Sequence, residues 1–314
     1  MFSKLVPQAV MFLKQLEALN TLPVEQLPVE IARDNYEKLS RFQGGVPLSV
    51  VRTEDRVILS PFHKPGVPIR IYWPTLTKLP LLIYFHGGGW SRGSLNTHDA
   101  LCRRIAKEAN CIIVSVDYRL APEFPYPAAI QDARVIYQWC QQNAVAIGAD
   151  PSRIAVGGDS AGGTISAVLT SELIESADIL PSFQLLIYPS LDLTFKQESV
   201  KTFSDGFFLT KHALEYYAAN YANGFNLQDW RVSPLFYTKY DKLPPAIILN
   251  ADCDPIRDDG MRYAQKLTQA GVHASHQNIQ GVIHAFMQLI ETFPLQTTKA
   301  YQWVSDQMNT FWKR

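Results

Sequence analysis

Apolar residues follow two kinds of spacing along this chain, and the changeover comes near residue 45. Before it they recur at helical intervals: Val10, Leu13, Leu16 and Leu19 fall on one face, and a second, more polar helix runs from Ile31 to Phe42. After Gly44 and Gly45 the period shortens. Alternating stretches at Val50 to Leu59 and Pro68 to Tyr72 predict antiparallel strands, whereas LLIYF (81–85) is apolar without interruption, the mark of a strand covered on both faces. Runs of that second kind return as CIIVSVDY (111–118), IAVGG (154–158), FQLLIY (183–188) and PAIILN (245–250). Helical patterns near 97–108, 127–143 and 161–174 separate them. This alternation predicts an α/β fold with a mostly parallel central sheet and helices on both faces.

One interval breaks the rhythm. The stretch between Tyr188 and Pro245 is far longer than an ordinary connection and dense in aromatic residues, so it predicts an insertion with helices of its own, at about 191–231. The chain then divides into an N-terminal helical part (1–45), an α/β core in two pieces (46–190 and 232–314) and the insertion between them.

Composition narrows the function classes. Lys plus Arg and Asp plus Glu both number 29, which leaves no basic footprint for nucleic acid or an anionic membrane surface and points to a small neutral substrate. The cysteines Cys102, Cys111, Cys140 and Cys253 form no CxxC pair, so neither a zinc site nor a disulfide framework is indicated, and a reducing cytoplasm is the expected compartment. Pro7 and Lys14 interrupt the apolar N-terminal stretch, and no small-residue cleavage site follows it, as a signal peptide would require. No run reaches the ~18 uncharged apolar residues of a membrane span, so a soluble chain without stable membrane association is expected. Whether it forms a homo-oligomer stays open.

The chemistry gathers around glycines. IAVGGDSAGG (154–163) reads as strand, sharp turn and helix. No lysine precedes Thr164 as a Walker loop needs, and the glycines do not follow GxGxxG order. What fits is GxSxG, with Gly158 and Gly162 flanking Ser160, a spacing that lifts a serine hydroxyl on a tight turn above the sheet. Directly after LLIYF comes His86, Gly87, Gly88, Gly89, Trp90. Three consecutive glycines at the end of a buried strand free backbone N–H groups to converge on a developing oxyanion, where a plain turn would rarely need all three.

A serine hydroxyl needs a histidine to take its proton and an acid to orient that histidine. Seven histidines compete. His86 belongs to the glycine loop, His98 and His212 lie in helical segments, and His63 sits in the early strands. His273 and His276 occupy a polar, strand-like stretch and lack a third ligand at metal spacing. His284, in GVIHAF, follows a glycine after the last predicted strand. For the acid, NADCDPIRDDG after PAIILN offers Asp252, Asp254, Asp258 and Asp259. Asp258 and Asp259 most simply cap a helix starting near Gly260. Any of these acids puts the order as serine, acid, histidine.

HGGGW (86–90), YRLAPE (118–123), GDSAGG (158–163), DPIRD (254–258) and the His284 loop, in that order, resemble the hormone-sensitive-lipase-like branch of the α/β-hydrolases, whose bacterial members are carboxylesterases. The resemblance spans about 80–290. It implies Ser160 as nucleophile, His284 as base and Asp254 as acid; neither a cofactor nor a metal is expected. It puts the oxyanion hole at the Gly87, Gly88 and Gly89 loop with Ala161, the donors being the backbone N–H groups of Gly88, Gly89 and Ala161. It also makes residues 1–45 and the insertion a helical cap over the site. Phe203, Phe207, Phe208, Tyr216 and Tyr217 are its candidate pocket rings, and Trp90, Phe207 and Phe208 the candidate substrate contacts. One position departs from the pattern: Ala285 follows the histidine where the family usually has glycine.

The expectation is a serine carboxylesterase for short-to-medium acyl esters. An amidase or deacetylase with the same chemistry is the alternative, a non-catalytic ligand-binding relative a weaker one, and a lipase acting at a lipid surface lacks any cationic amphipathic helix to support it.

Overall fold

Eight strands form one sheet in the order β1-β2-β4-β3-β5-β6-β7-β8 in the computed structural model, which describes residues 3–313. The chain begins with α1 (Pro7–Ala18) and α2 (Val29–Gln43), then β1 (Arg52–Ile58), β2 (Val67–Trp73) and β3 (Leu79–Phe85). The alternating part follows: α3 (Asp99–Ala109), β4 (Ile112–Val116), α4 (Ala128–Asn143), β5 (Ala149–Asp159), α5 (Ala161–Glu175) and β6 (Gln184–Ile187). The insertion contributes α6 (Glu198–Thr202) and α7 (Lys211–Ala222). The chain then returns to the sheet with β7 (Ala246–Cys253), α8 (Arg257–Gln269), β8 (Ala274–Ile283) and α9 (Pro294–Trp312).

β1 and β2 pair antiparallel, as does β2 with β4, and every pairing from β4 through β3 to β8 is parallel. The division follows burial. β1 alternates half-buried and exposed residues at the sheet edge, while all of β3 and β4 is buried. On β3, Leu81, Ile83 and Phe85 face α4 and α5, in one cluster with Ile136, Ile165 and Val168. Leu82 and Tyr84 face the other way, toward α3 and α9, among Ile105, Tyr301 and Val304. Each such fully buried side chain contributes about 1.5–3 kcal/mol by transfer scales. These two layers fix the sheet against which the loops at its carboxyl end are aimed.

Three elements differ from expectation. β8 is a full strand, although only its last residues are buried; as an edge strand, its outer half keeps the polar sequence that obscures it. α9 carries Thr297, Ala300, Tyr301, Val304 and Met308 at helical spacing and closes one face of the sheet. α8 starts at Arg257, not near Gly260, so Asp258 and Asp259 do not cap it but stand in its first turn. Their carboxylates reach across to the insertion: Asp258 accepts from the Ser199 N–H at 2.9 Å, and Asp259 from the N–H groups of Leu191 at 2.8 Å and Asp192 at 3.0 Å. Burial, with Asp192 adding to it, pushes the Asp259 carboxyl well above the ordinary carboxylate range even though those donors pull the other way. Among the described residues no helix is long and apolar enough to cross a membrane.

Candidate active site

Four loops meet at the carboxyl ends of neighbouring parallel strands: His86 to Trp90 after β3, Ser160 after β5, Asp254 after β7 and His284 after β8. That is where an open α/β sheet leaves its crevice. The turn at Ser160 is held by sterics. The serine takes φ 54°, ψ −118°, a region an L-residue occupies only when its surroundings impose it. Its N–H donates to Ile187 O at 2.9 Å. Gly162 makes the turn possible, because a Cβ there would lie 1.9 Å from the carbonyl oxygen of Phe85. The start of α5 can pass that close to β3 only with glycine.

Ser160 Oγ lies 3.0 Å from His284 Nε2, and His284 Nδ1 lies 2.7 Å from Asp254 Oδ2. A carboxylate can only accept, so Nδ1 carries the proton and donates it to Asp254, which leaves the Nε2 lone pair facing the serine hydroxyl. Asp254 is fully buried, and its other oxygen accepts from the Ile256 N–H at 2.9 Å, a turn in keeping with Pro255 between them. Asp252 points elsewhere. It accepts from Asn278 at 3.2 Å and sits 3.8 Å from Arg257, tied to the flank of β8. Of the other histidines, His276 bonds Asn250 at 3.1 Å and His273 packs against Phe311, so the two do not converge on a common centre.

Ala285 takes φ 63°, in the left-handed region that suits glycine. Ala285 therefore holds a backbone shape that glycine would adopt without strain.

The glycine loop divides its N–H groups between two tasks. Those of Gly88, Gly89 and Ala161 have no acceptor among the described residues. Gly87 does not join them: its N–H donates to Asp159 Oδ1 at 3.0 Å, which corrects its expected place in the oxyanion hole. Gly88 stands at φ +126°, and the turn that follows closes through Arg92 N–H to Gly88 O at 3.2 Å. His86 is structural here. Its ring stacks on Tyr118 with centroids 4.3 Å apart, while the Tyr118 hydroxyl donates to His86 O at 2.7 Å, so the YRLAPE stretch braces the loop from behind. Burial, with His98 beside it, pushes the His86 imidazole down to about 3, so it stays neutral.

Asp159, beside the serine, ties these loops together. Besides Gly87 it accepts from Tyr84 at 2.8 Å and from Gln288 at 2.7 Å, and it pairs with His98 at 3.2 Å. Gln288 in turn accepts from Tyr36 of α2 at 2.7 Å. Burial alone would raise the Asp159 carboxyl; the charge and hydrogen bond of His98 and the Tyr84 hydroxyl outweigh it and hold the group below its ordinary value. The sequence shows Asp159 inside GDSAGG, but its partners lie 61 to 129 positions away and carry no local signal.

A cavity of about 520 Å³ opens onto Ser160 and His284, walled by Leu16, Leu22 and Tyr36 from the N-terminal helices and by Phe208, Leu214 and Tyr217 from the insertion. Trp90 also lines it, stacked on Tyr221 at 4.5 Å. Phe207 does not line it. That ring turns into the core and meets Phe203 edge-on at 4.9 Å, which corrects the expectation of a substrate contact. A second hollow of about 720 Å³ lies on the outer side by α2 and α3, lined by Asp55, Arg70, Asp99 and Arg103, which pair among themselves, and it includes none of the catalytic candidates.

Residues 82–288 match the family described as alpha/beta hydrolase fold. The chain belongs to the hormone-sensitive-lipase-like α/β-hydrolases. This hydrolase is 38% identical over 285 residues to the carboxylesterase NlhH of Mycobacterium tuberculosis, with 88% of each chain covered. It is 35% identical over 295 residues to the ethyl acetate hydrolase of Pseudomonas putida, covering 90% of this chain and 92% of that one. The solved ester-hydrolase EH1AB1 from the metagenome of Lake Arreo superposes with a TM-score of 0.94 at 35% identity, covering 99% of this chain and 100% of that one. Arg92, three positions after Gly89 and outside every motif above, also lines the cavity that opens onto Ser160.

Proposed function

We propose that this carboxylic ester hydrolase is a serine carboxylesterase that cleaves short-to-medium acyl esters through an acyl-enzyme on Ser160. The enzyme class rests on the family and its relatives; the residue roles rest on the relay from Ser160 Oγ through His284 to Asp254, with links of 3.0 and 2.7 Å. His284 Nε2 takes the hydroxyl proton as Oγ attacks the ester carbonyl. Asp254 stabilises the imidazolium and keeps the ring oriented. The carbonyl oxygen becomes an oxyanion facing the N–H groups of Gly88, Gly89 and Ala161, donors that need no reorganisation when charge develops. Collapse expels the alcohol, protonated by His284, and water activated by the same imidazole releases the acid.

The cavity supports the size class. About 520 Å³ behind leucine and aromatic walls holds a compact ester, and closing it with α1, α2 and the 191–231 segment as a cap limits the acyl chain to roughly four to eight carbons. The test is a series of aryl esters of graded acyl length with an anilide control. Ser160→Ala should lower turnover by several orders of magnitude with the fold intact by circular dichroism. Near-full activity in that variant overturns the roles; a faster anilide than ester moves the reading to an amidase.

A further inference from the structure

We infer that Arg92 is a specificity residue that draws esters bearing a carboxylate, away from the scissile bond, into the catalytic cavity. The inference rests on the ester-hydrolase reading and adds a substrate class to it. The guanidinium carbon of Arg92 lies 4.7 Å from the ring centre of Tyr36 and 5.2 Å from that of Tyr217, so it is held between the N-terminal helices and the insertion. Its stem passes the oxyanion loop, where a Cβ on Gly88 would come within 3.2 Å of Arg92 Cγ. The two aromatic faces attract the charge, but they accept no hydrogen bond in the guanidinium plane.

No partner satisfies it. Among the described residues Arg92 makes no side-chain hydrogen bond and no ion pair, and its Nε is buried without an acceptor. Four other part-buried arginines are paired: Arg33 with Glu123, Arg70 with Asp55, Arg119 with Asp132 and Arg257 with Asp258. Glu25 lines the same cavity and forms no ion pair with Arg92; its Oε2 is likewise buried and unpartnered. A cation left with no acid at ion-pair distance, in a cavity walled largely by leucine and aromatic side chains, costs stability, and structural packing alone would be served as well by an uncharged stem. A substrate carboxylate would find two parallel N–H donors there, the geometry that makes arginine selective for planar oxyanions. The half-buried setting strengthens that pairing relative to open water.

The carboxylate has two chemical sources, the acyl part or the alcohol part of the ester, and matched pairs separate them. Monoethyl adipate is compared with ethyl hexanoate, and 6-acetoxyhexanoate with hexyl acetate, following acid release at constant pH. The readout is the ratio of kcat/KM for the anionic ester to that for its neutral partner, in the unaltered enzyme, Arg92→Met and Arg92→Lys. In one of the pairs the ratio should fall about tenfold to a hundredfold in Arg92→Met, mainly through KM, and recover in part in Arg92→Lys. The pair in which this happens identifies the source. A ratio unchanged within about twofold in both pairs, including the case where both esters of a pair slow equally, makes Arg92 a structural clamp and overturns the inference. Failure of the unaltered enzyme to hydrolyse any of the four esters overturns the ester-hydrolase reading along with it.

Discussion

The loops at the carboxyl end of the sheet and the helical cover above them are built on different principles. The loops are held by backbone. Gly162 lets α5 approach β3, Ser160 sits at an imposed φ of 54°, Gly87 donates to Asp159, and Asp254 closes a turn onto Ile256. A change of one atom at such positions meets a carbonyl or removes a buried partner. The cover is held by side chains: Phe12 leans on Phe208 at 5.8 Å, Arg92 lies between two tyrosines, and leucines from separate segments share a cavity wall. Packing of that kind tolerates exchange of one hydrophobic group for another, at a cost usually below about 1.5 kcal/mol. Under the proposed function, the chemistry sits where the backbone is pinned, and substrate choice where it is not.

Changes in the two regions should have different kinetic signatures. The largest effect belongs to the loops: Asp254→Asn should lower kcat by up to about four orders of magnitude at saturating substrate, because the amide favours the wrong imidazole tautomer and cannot stabilise the imidazolium. A loss under tenfold would break the comparison, since the relay would then not depend on its buried acid. A change in the cover should alter selection more than rate. Phe208→Ala removes a wall ring, so the preferred acyl chain should lengthen by about two carbons or more while kcat on the best ester stays within about tenfold. An unchanged length profile would take Phe208 out of the pocket. Smallest is Asp252→Asn, two residues from Asp254 but tied to Asn278 and Arg257. It should leave kcat nearly unaltered and cost about 1 kcal/mol or less in urea unfolding; a kcat loss larger than that of Asp254→Asn would reassign the acid.

The same contrast explains what the sequence reveals. Local backbone demands leave local patterns, so HGGGW, GDSAGG and DPIRD can be read before any fold is known, and the uninterrupted apolar runs of the inner strands announce the sheet. Gly87 shows the limit of such reading. Its motif places it beside Gly88 and Gly89, yet only the fold reveals that Asp159 already occupies its N–H. The cover leaves a compositional trace, the aromatic density of 191–231, but not the direction each ring takes. Phe207 and Phe208 are adjacent and alike; one turns to Phe203 in the core and the other to the cavity. β8 stays faint because an edge strand buries only its end, and Arg92 carries no local signal because its two aromatic partners, Tyr36 and Tyr217, are far from it in sequence, one on either side.

The central claim, that Ser160 is the nucleophile of a covalent mechanism, is tested most directly by mapping the adduct left by an aryl alkylphosphonate ester. Attack by the serine expels the aryloxide and leaves a stable phosphonyl group on Oγ. The account predicts one adduct per chain, found by peptide mass spectrometry on the segment containing Ser160 and formed in step with the loss of esterase activity. Inactivation with the adduct on another residue, or complete labelling of Ser160 with activity retained, would contradict it.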